Sequence, residues 1–355
     1  MNIYIIAEAG VNHNGRLDAA IELAKEAKKA GADAVKFQSF KTENLVTRDA
    51  KKAEYQSKNT ANDDSQFEML KKLELSYAEQ TELYHLCNEI GIDFLSTAFD
   101  FESLDFLSNQ IKIQTLKISS GDLTNGPLLY EFGKTGKNII LSTGMSNLQE
   151  IEDALSIIAY GLLKKEHPSE ENFKESFKST QGQSILKKKV SLLHCTTEYP
   201  APLDEINLRA MKTLKEKFDL KIGYSDHSEG ILVSILAASF GAQVIEKHFT
   251  LDKNLEGPDH TSSLTTNELK EMIVSIRNIE RIMGDEAKKP TKSELKNRPI
   301  ARKSLVALEN IREGQAFIKD NITVKRPGTG VSPIKFWDIL NTKSKKAYKK
   351  DEVID

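Results

Sequence analysis

The chain has 355 residues, 39% of them hydrophobic and 29% charged, and 50 Lys and Arg against 52 Asp and Glu leave a net charge of −2. This balance argues against nucleic-acid binding, which favours a basic excess. The sequence has no apolar run of about 18 residues that could span a membrane. Its N-terminus turns polar too early for a secretory signal. Two cysteines form no disulfide pattern, so we expect a reducing, cytoplasmic location.

Short apolar runs rich in β-branched residues recur along the first 250 residues, with helical patterns between them. Eight strands alternating with helices predict a parallel sheet, and eight is the number that closes a (β/α)8 TIM barrel. An open doubly wound sheet is the alternative, although no G-x-G-x-x-G follows the first strand. The predicted strands are Ile3–Ala9, Ala34–Ser39, Asp93–Ala98, Thr115–Ser119, Asn138–Thr143, Val190–Cys195, Lys221–Ser225 and Val244–Phe249.

The pattern changes near residue 285, which predicts a second domain. We assign residues 1–285 to the barrel, 286–298 to a polar linker and 299–355 to a small β-rich domain. The last segment is close to the lower size limit for folding unaided. The long polar stretch Lys164–Lys189 is interpreted as a surface excursion.

Polar or ionisable residues stand at the carboxyl end of every predicted strand. In a barrel these ends form the mouth of the active site, although such residues also suit strand caps and turns. His227 and His248 end neighbouring strands, so their imidazoles could together hold a divalent metal with open positions. The alternative is that each histidine only caps its strand.

Carboxylates and lysines complete the predicted mouth. Glu8 and Asp259 could serve as a ligand, a base or an orienting group. Lys36 and Lys117, with nearby serines, suit a phosphate or carboxylate. A lysine inside a barrel also suggests a Schiff-base aldolase, with Lys117 or Lys247 as the nucleophile.

Ordered motifs along nearly the whole chain resemble the sialic acid synthase family. The tail motif Lys325-Arg326-Pro327-Gly328-Thr329-Gly330 is similar to that family's C-terminal antifreeze-like (SAF) domain, which is related to type III antifreeze proteins. The other motifs are 7–15 (AEAGVNHNG), 35–38 (VKFQ), 117–121 (KISSG), 141–145 (LSTGM), 194–200 (HCTTEYP), 224–227 (YSDH), 245–249 (IEKHF) and 257–259 (GPD).

The resemblance implies a metal-dependent condensation of phosphoenolpyruvate with an N-acetylmannosamine-type sugar, which gives a nonulosonic acid and phosphate. His227 and His248 would bind Mn²⁺ or Mg²⁺, and Glu8, Lys117 and Asp122 would take part in catalysis. Contacts to phosphoenolpyruvate would come from Lys36, Thr97, Lys117, Ser120, Ser142, Thr197 and Ser225, and contacts to the sugar from Gln38, Tyr199, Asp259 and Arg326.

The family also implies a domain-swapped homodimer, in which Arg326 of the small domain touches the N-acyl group in the partner's barrel. Two positions depart from the family pattern: Asp122 replaces a usual Glu, and Thr197 stands where some members have Asn. The tripeptide Gly257-Pro258-Asp259 fits synthases of the sialate and legionaminate branches but not the pseudaminate branch.

We therefore expect an N-acetylneuraminate synthase-type enzyme. An N,N'-diacetyllegionaminate synthase, which would use 2,4-diacetamido-2,4,6-trideoxymannose, is the first alternative. A Schiff-base aldolase and a non-catalytic carbohydrate-binding protein are the others.

Overall fold

The computed structural model describes residues 2–60 and 64–355. The chain divides into two compact units, one ending at Gly284 and the other comprising Asp285–Asp355.

The first unit is built on eight parallel strands, and each pairs with the next one in the chain. The first strand also pairs with the eighth, so the sheet closes into a barrel and the predicted (β/α)8 fold is confirmed. The open doubly wound alternative is wrong, because no barrel strand is left as an edge. The strands are β1 Tyr4–Gly10, β2 Ala34–Ser39, β3 Asp93–Ala98, β4 Thr115–Ile118, β5 Asn138–Ser142, β6 Val190–His194, β7 Lys221–Asp226 and β8 Val244–Thr250, and a short β9 Leu264–Thr265 pairs in parallel with the end of β8.

Helices of this unit follow the strands and have well-defined ends. Helix α5 begins at a capping box formed by Ser76 and Glu79, and Gly91 ends it in the left-handed conformation. No helix of the described residues is both long enough and apolar enough to cross a bilayer. The helices are α1 Leu17–Ala30, α2 Thr42–Leu45, α3 Glu54–Asn59, α4 Gln66–Leu73, α5 Tyr77–Ile90, α6 Phe101–Asp105, α7 Gly126–Lys134, α8 Leu148–Leu162, α9 Glu170–Lys178, α10 Thr180–Lys189, α11 Ala210–Phe218, α12 Leu232–Ser239 and α13 Thr266–Ile282.

The barrel interior is layered because every second residue of a strand points inward. An apolar layer near the amino ends of the strands contains Ile6, Ala34, Leu95, Ile140, Leu193 and Val244. Two residues further along, β1, β2 and β8 place Glu8, Lys36 and Glu246, and all three are buried. The polar residues therefore rest on an apolar floor.

The polar stretch 164–189, predicted as a surface excursion, contains two helices, α9 and α10, that pack on α8. Ser179 caps α10 by accepting a hydrogen bond from the Gly182 amide, with an Oγ–N distance of 2.9 Å. The excursion is therefore an ordered helical pair.

The second unit has its own small core of Leu305, Ile311, Phe317, Ile322 and Tyr348, with other residues packed around them. Strands β10 Ser304–Ala307 and β11 Ile322–Lys325 pair antiparallel, and helix α15 Phe336–Ile339 follows them. The likeness of this unit to antifreeze proteins stays a prediction.

The second half of the predicted polar linker 286–298 is helical. Helix α14 spans Lys292–Ala301 and begins at a capping box of Thr291 and Glu294. None of its residues is buried, and its sequence does not show the apolar periodicity that is typical of a packed helix. Its cap is the only local signal that we find for it.

Helices α7 and α8 pack closely enough that two glycines meet. A Cβ on Gly133 would lie 2.7 Å from the Ile158 carbonyl oxygen and 2.9 Å from the Gly161 Cα. We expect Gly133→Ala to destabilise the protein by about 1–3 kcal/mol, because both neighbours are backbone and would have to move. Urea unfolding measures the effect. The control is Gly126→Ala in the first turn of α7, where the nearest atom is a side-chain carbon at 3.4 Å; equal losses in the two variants would contradict the prediction.

Candidate active site

A cavity of about 370 Å³ opens at the carboxyl ends of the barrel strands. It lies where sequence analysis places the site, because each strand delivers its last inward-facing side chains there. Its lining includes the following predicted residues: Glu8, Lys36, Gln38, Thr97, Lys117, Ser120, Ser142, Thr197, Tyr199, Ser225, His227, His248 and Asp259.

Four buried ionisable residues lie at the base of this cavity, directly above the apolar layer, and we call Glu8, Lys36, Lys117 and Glu246 the ionic cluster. Lys36 Nζ lies 2.8 Å from Glu8 Oε2 and 3.8 Å from Glu246 Oε2. Lys117 Nζ lies 3.8 Å from Glu246 Oε1. Glu246 is therefore placed between the two ammonium groups. Two lysines and two carboxyl groups beside one another allow burial of charges that would each be costly alone.

The pKa values of the two carboxyls in this cluster diverge. Burial raises the pKa of Glu8 to about 8. Burial acts in the same direction on Glu246, but the ammonium groups of Lys117 and Lys36 outweigh it and lower the pKa of that carboxyl. Glu246 is therefore the ionised partner of the two lysines, whereas Glu8 can gain or lose a proton near neutral pH, as an acid or base requires.

Hydrogen-bonding groups surround Lys117 and form a corner suited to an anion. Lys117 Nζ donates to Ser142 Oγ at 2.6 Å, and burial lowers the pKa of this amine. Ser120 Oγ accepts a hydrogen bond of 3.0 Å from the Gly144 amide. Thr197 Oγ1 is buried without a hydrogen-bond partner among the described residues. An anion with several oxygens would supply the missing partner.

The two predicted metal ligands lie beside each other in the cavity lining, with 5.6 Å between the centroids of the His227 and His248 rings. His227 Nδ1 lies 2.6 Å from the Thr196 carbonyl oxygen, so it carries the proton and leaves the lone pair on Nε2. That Nε2 atom lies 3.1 Å from the Tyr199 hydroxyl. The predicted pairing of the histidines is present in the structure.

Both imidazoles are suited to bind a cation. Burial lowers the pKa of His227 to about 4, and burial together with the nearby His227 and Lys36 lowers that of His248 well below its ordinary value. Both rings are therefore neutral at pH 7, as metal ligation requires.

The unpartnered atoms also fit a metal. His248 Nδ1 is buried without a hydrogen-bond partner among the described residues and lies 3.9 Å from Asp259 Oδ2. No set of three or more His, Cys, Asp or Glu in residues 2–60 and 64–355 is arranged to hold a metal ion. The two imidazoles fit Mn²⁺ or Mg²⁺ only if water or substrate oxygens complete the coordination.

The outer part of the cavity is apolar on one side, and we call this lining the apolar wall. Most of it comes from the segment between β2 and α5, which carries α2, α3 and α4. Asp259 also lines the cavity, and burial raises its pKa to about 6. The wall comprises Val11, Leu45, Val46, Met69, Leu70, Leu73 and Phe99.

The remaining predicted residues lie elsewhere. Asp122 does not line the cavity; its carboxylate accepts hydrogen bonds from Ser119 Oγ at 2.6 Å and Asn125 Nδ2 at 3.3 Å, and so stabilises its own turn. Its short side chain explains why it bonds locally. Lys247 points away from the cavity and pairs with Asp226. Arg326 belongs to the second unit, where its Nε donates to the Ala301 carbonyl oxygen at 3.1 Å.

Sequence reasoning missed two parts of the site. The sequence marks Glu246 as a polar residue near a strand end. Because it stands two residues before His248, the two side chains lie on one face of β8. That spacing was a usable signal. The apolar wall had none, because a run such as Met69–Leu73 is equally typical of an ordinary packed helix.

Comparison with known proteins places the chain in a family. The model of the NeuB family matches residues 23–288. The chain belongs to the NeuB family. The resemblance to sialic acid synthases is thereby confirmed.

The chain is 49% identical to the N,N'-diacetyllegionaminic acid synthase of Campylobacter jejuni, over 99% of this chain and 98% of the relative. It is 43% identical to the enzyme of the same name from Legionella pneumophila, over 97% and 90%. A crystal structure of the N-acetylneuraminic acid synthetase of Leptospira borgpetersenii superposes with a TM-score of 0.67 at 33% identity, over 84% of this chain and 90% of that one.

The ionic cluster gives a prediction about stability. Glu246→Gln should cost about 3–5 kcal/mol, because it leaves two buried ammonium groups with one fewer carboxylate. Glu8→Gln should cost clearly less at pH 7, since the pKa of Glu8 is about 8 and glutamine resembles the protonated acid. Urea unfolding at pH 7 compares the two isosteric variants; equal losses, or a larger loss in Glu8→Gln, would contradict this assignment of charge.

Proposed function

We propose that this protein condenses phosphoenolpyruvate with 2,4-diacetamido-2,4,6-trideoxymannose to give N,N'-diacetyllegionaminate and phosphate, as a carbon–carbon bond-forming transferase. The observation that carries the proposal is a single cavity with two buried lysines beside two neutral imidazoles. The 49% identity to a legionaminate synthase over nearly the full length supports this alternative better than the sialate synthase first expected.

The lysine side of the cavity would bind phosphoenolpyruvate. Lys117, Ser142 and Ser120 surround the anion corner, and Thr197 Oγ1 would gain its missing partner there. Lys36, which already contacts Thr97 Oγ1 at 3.0 Å, would hold a second anionic group. When substrate oxygens replace carboxylate oxygens beside the lysines, every ammonium group still has a partner while the anion is bound.

In the reaction, C3 of phosphoenolpyruvate forms a bond to the aldehyde carbon of the sugar, the aldehyde oxygen takes up a proton and becomes a hydroxyl, and C2 becomes cationic. Water then adds to C2 and loses both its protons as the C2–O bond to phosphate breaks and the keto group forms; these two protons balance those taken up by the aldehyde oxygen and by the phosphate. Glu8 lies on the cavity floor with a pKa near 8, so its carboxylate form can accept a proton that the attacking water loses. Lys117 and Ser142 would hold the departing phosphate.

A divalent metal would contribute one function. His227 and His248 would hold Mn²⁺ or Mg²⁺, and the bound ion would act as a Lewis acid toward the aldehyde oxygen. Asp259, Gln38 and Tyr199 would orient the sugar, because all three line the cavity around the histidines.

The apolar wall favours the deoxygenated sugar. A hydroxyl pressed against Met69, Leu70 or Leu73 would lose its hydrogen bonds to water without replacement, whereas a C6 methyl group and acetamido methyl groups bury well there. Arg326 would reach an N-acyl group in the barrel of a second copy, within a domain-swapped dimer. That dimer and a cytoplasmic location remain part of the proposal.

The test is release of phosphate from phosphoenolpyruvate with each of two sugars, 2,4-diacetamido-2,4,6-trideoxymannose and N-acetylmannosamine, with and without chelator. We expect turnover with Mn²⁺, loss of activity on chelation and preference for the deoxy sugar. Borohydride trapping of pyruvate on Lys117 with activity that survives chelation would instead establish a Schiff-base aldolase, which the lowered pKa of that buried amine would suit.

Leu70 offers a test of sugar choice. Leu70→Asn adds a hydrogen-bonding group to the apolar wall at a half-buried position. The kcat/KM for the deoxy sugar should therefore fall, and the ratio of kcat/KM for N-acetylmannosamine to that for the deoxy sugar should rise. We expect the ratio to shift by about tenfold, the value of one or two buried methylene contacts. The control is Leu86→Asn, which is half-buried on α5 away from the cavity. An unchanged ratio in Leu70→Asn would contradict the role of the wall.

A further inference from the structure

A buried ion pair lies behind the two histidines, on the face of β7 and β8 that points away from the cavity. Asp226 and Lys247 are opposite each other in the register of these strands, and Lys247 Nζ lies 3.1 Å from Asp226 Oδ2. Both side chains are 0% exposed. Asp226 directly precedes His227, and Lys247 directly precedes His248. Because successive side chains of a strand point to opposite faces, the ion pair faces away from the cavity while the histidines face into it.

The pair ties together three elements around His227. Asp226 Oδ1 accepts hydrogen bonds from the Ser228 amide at 2.9 Å and from Ser228 Oγ at 2.7 Å, which closes a turn with His227 at its centre. Asp226 Oδ2 also accepts from Ser234 Oγ of α12 at 2.6 Å. Lys247 Nζ donates to the Ser228 carbonyl oxygen. The turn is thereby fixed to both β8 and α12.

Stability alone gives no reason for this arrangement. A buried ion pair is often no more stabilising than apolar side chains of the same volume, because both charges lose their hydration. The pair instead fixes the orientation of the turn, because its hydrogen bonds hold the backbone of residues 226–228. On the cavity side, the His227 ring is held by the Thr196 carbonyl oxygen at 2.6 Å. The ring is therefore constrained from both faces of the strand.

We propose that Asp226 and Lys247 are positioning residues that set the separation and orientation of the His227 and His248 imidazoles, so that the pair is formed before a divalent cation binds. Neither residue touches the cavity. Partners behind a ligand ring typically change metal affinity by about 10–100-fold when they are removed. The inference rests on the proposed metal site.

The test uses the full-length protein and the double variant Asp226→Leu with Lys247→Met, which replaces the pair by apolar side chains. Mn²⁺ titration followed by electron paramagnetic resonance, without any substrate, gives the affinity, and urea unfolding gives the stability. We expect the folded double variant to bind Mn²⁺ at least about tenfold more weakly. A merely structural pair would leave the Mn²⁺ affinity of the folded protein unaltered, whatever the change in the unfolding midpoint.

The control is the ion pair of Asp33 and Arg277, whose Oδ2–NH2 distance is 2.7 Å and which lies at the opposite end of the barrel. Asp33→Leu with Arg277→Met should leave Mn²⁺ affinity unchanged. Ser234→Ala, which removes one hydrogen bond to Asp226 within a helix, serves if the double variant does not fold, and it should weaken Mn²⁺ binding severalfold.

The outcomes separate the two levels of the proposal. Mn²⁺ binding by the unmodified protein with equal affinity in the folded double variant, or in Ser234→Ala where that variant is used, would overturn the positioning role alone. Failure of the unmodified protein to bind Mn²⁺ would overturn the proposed metal site and this inference with it.

Discussion

The alternation of side chains along eight closed parallel strands is the constraint from which the rest of this site follows. Every second residue points into the barrel, and six of the eight strands contribute one residue to the apolar layer before their polar residues begin. On β8 the sequence Val244, Glu246, His248 runs from the floor through the ionic cluster to the histidine pair. The intervening Lys247 faces the helices. One strand thus contributes to packing, to charge balance and to the histidine pair by position alone.

Charge balance lets this interior stay polar. The ionic cluster contains as many carboxylates as ammonium groups, and burial keeps His227 and His248 neutral. The net charge of −2 for the whole chain hides this local sorting. Because the lysines already have carboxyl partners, an incoming anion would exchange one set of lysine contacts for another. The same principle explains why Glu246 and Glu8 differ in protonation although both are buried.

Sequence reasoning reached the parts of the structure that depend on local pattern. The eight strands were predicted within about one residue of their observed ends, a precision that boundaries rarely allow, because apolar β-branched runs ended abruptly in polar residues. Asp122 bonds to partners within its own turn, a local contact that the family pattern does not reveal, and its part in catalysis stays a prediction. Closure of the barrel brings the Glu246 carboxylate beside Lys36 and Lys117. The path of the long segment between β2 and α5 brings most of the apolar wall to the cavity. Such relations join residues far apart in sequence, and no local pattern encodes them.

The origin of the apolar wall has a consequence for how such enzymes diversify. The ionic cluster and the histidines stand on the strands of the barrel, whereas most of the wall comes from the segment that carries α2, α3 and α4 between β2 and α5. On the proposed function, bond formation and sugar choice would therefore be carried by separate pieces of chain. Exchange of that one segment would then change which sugar is accepted while the reacting groups keep their places, so this barrel could be recombined into new specificities.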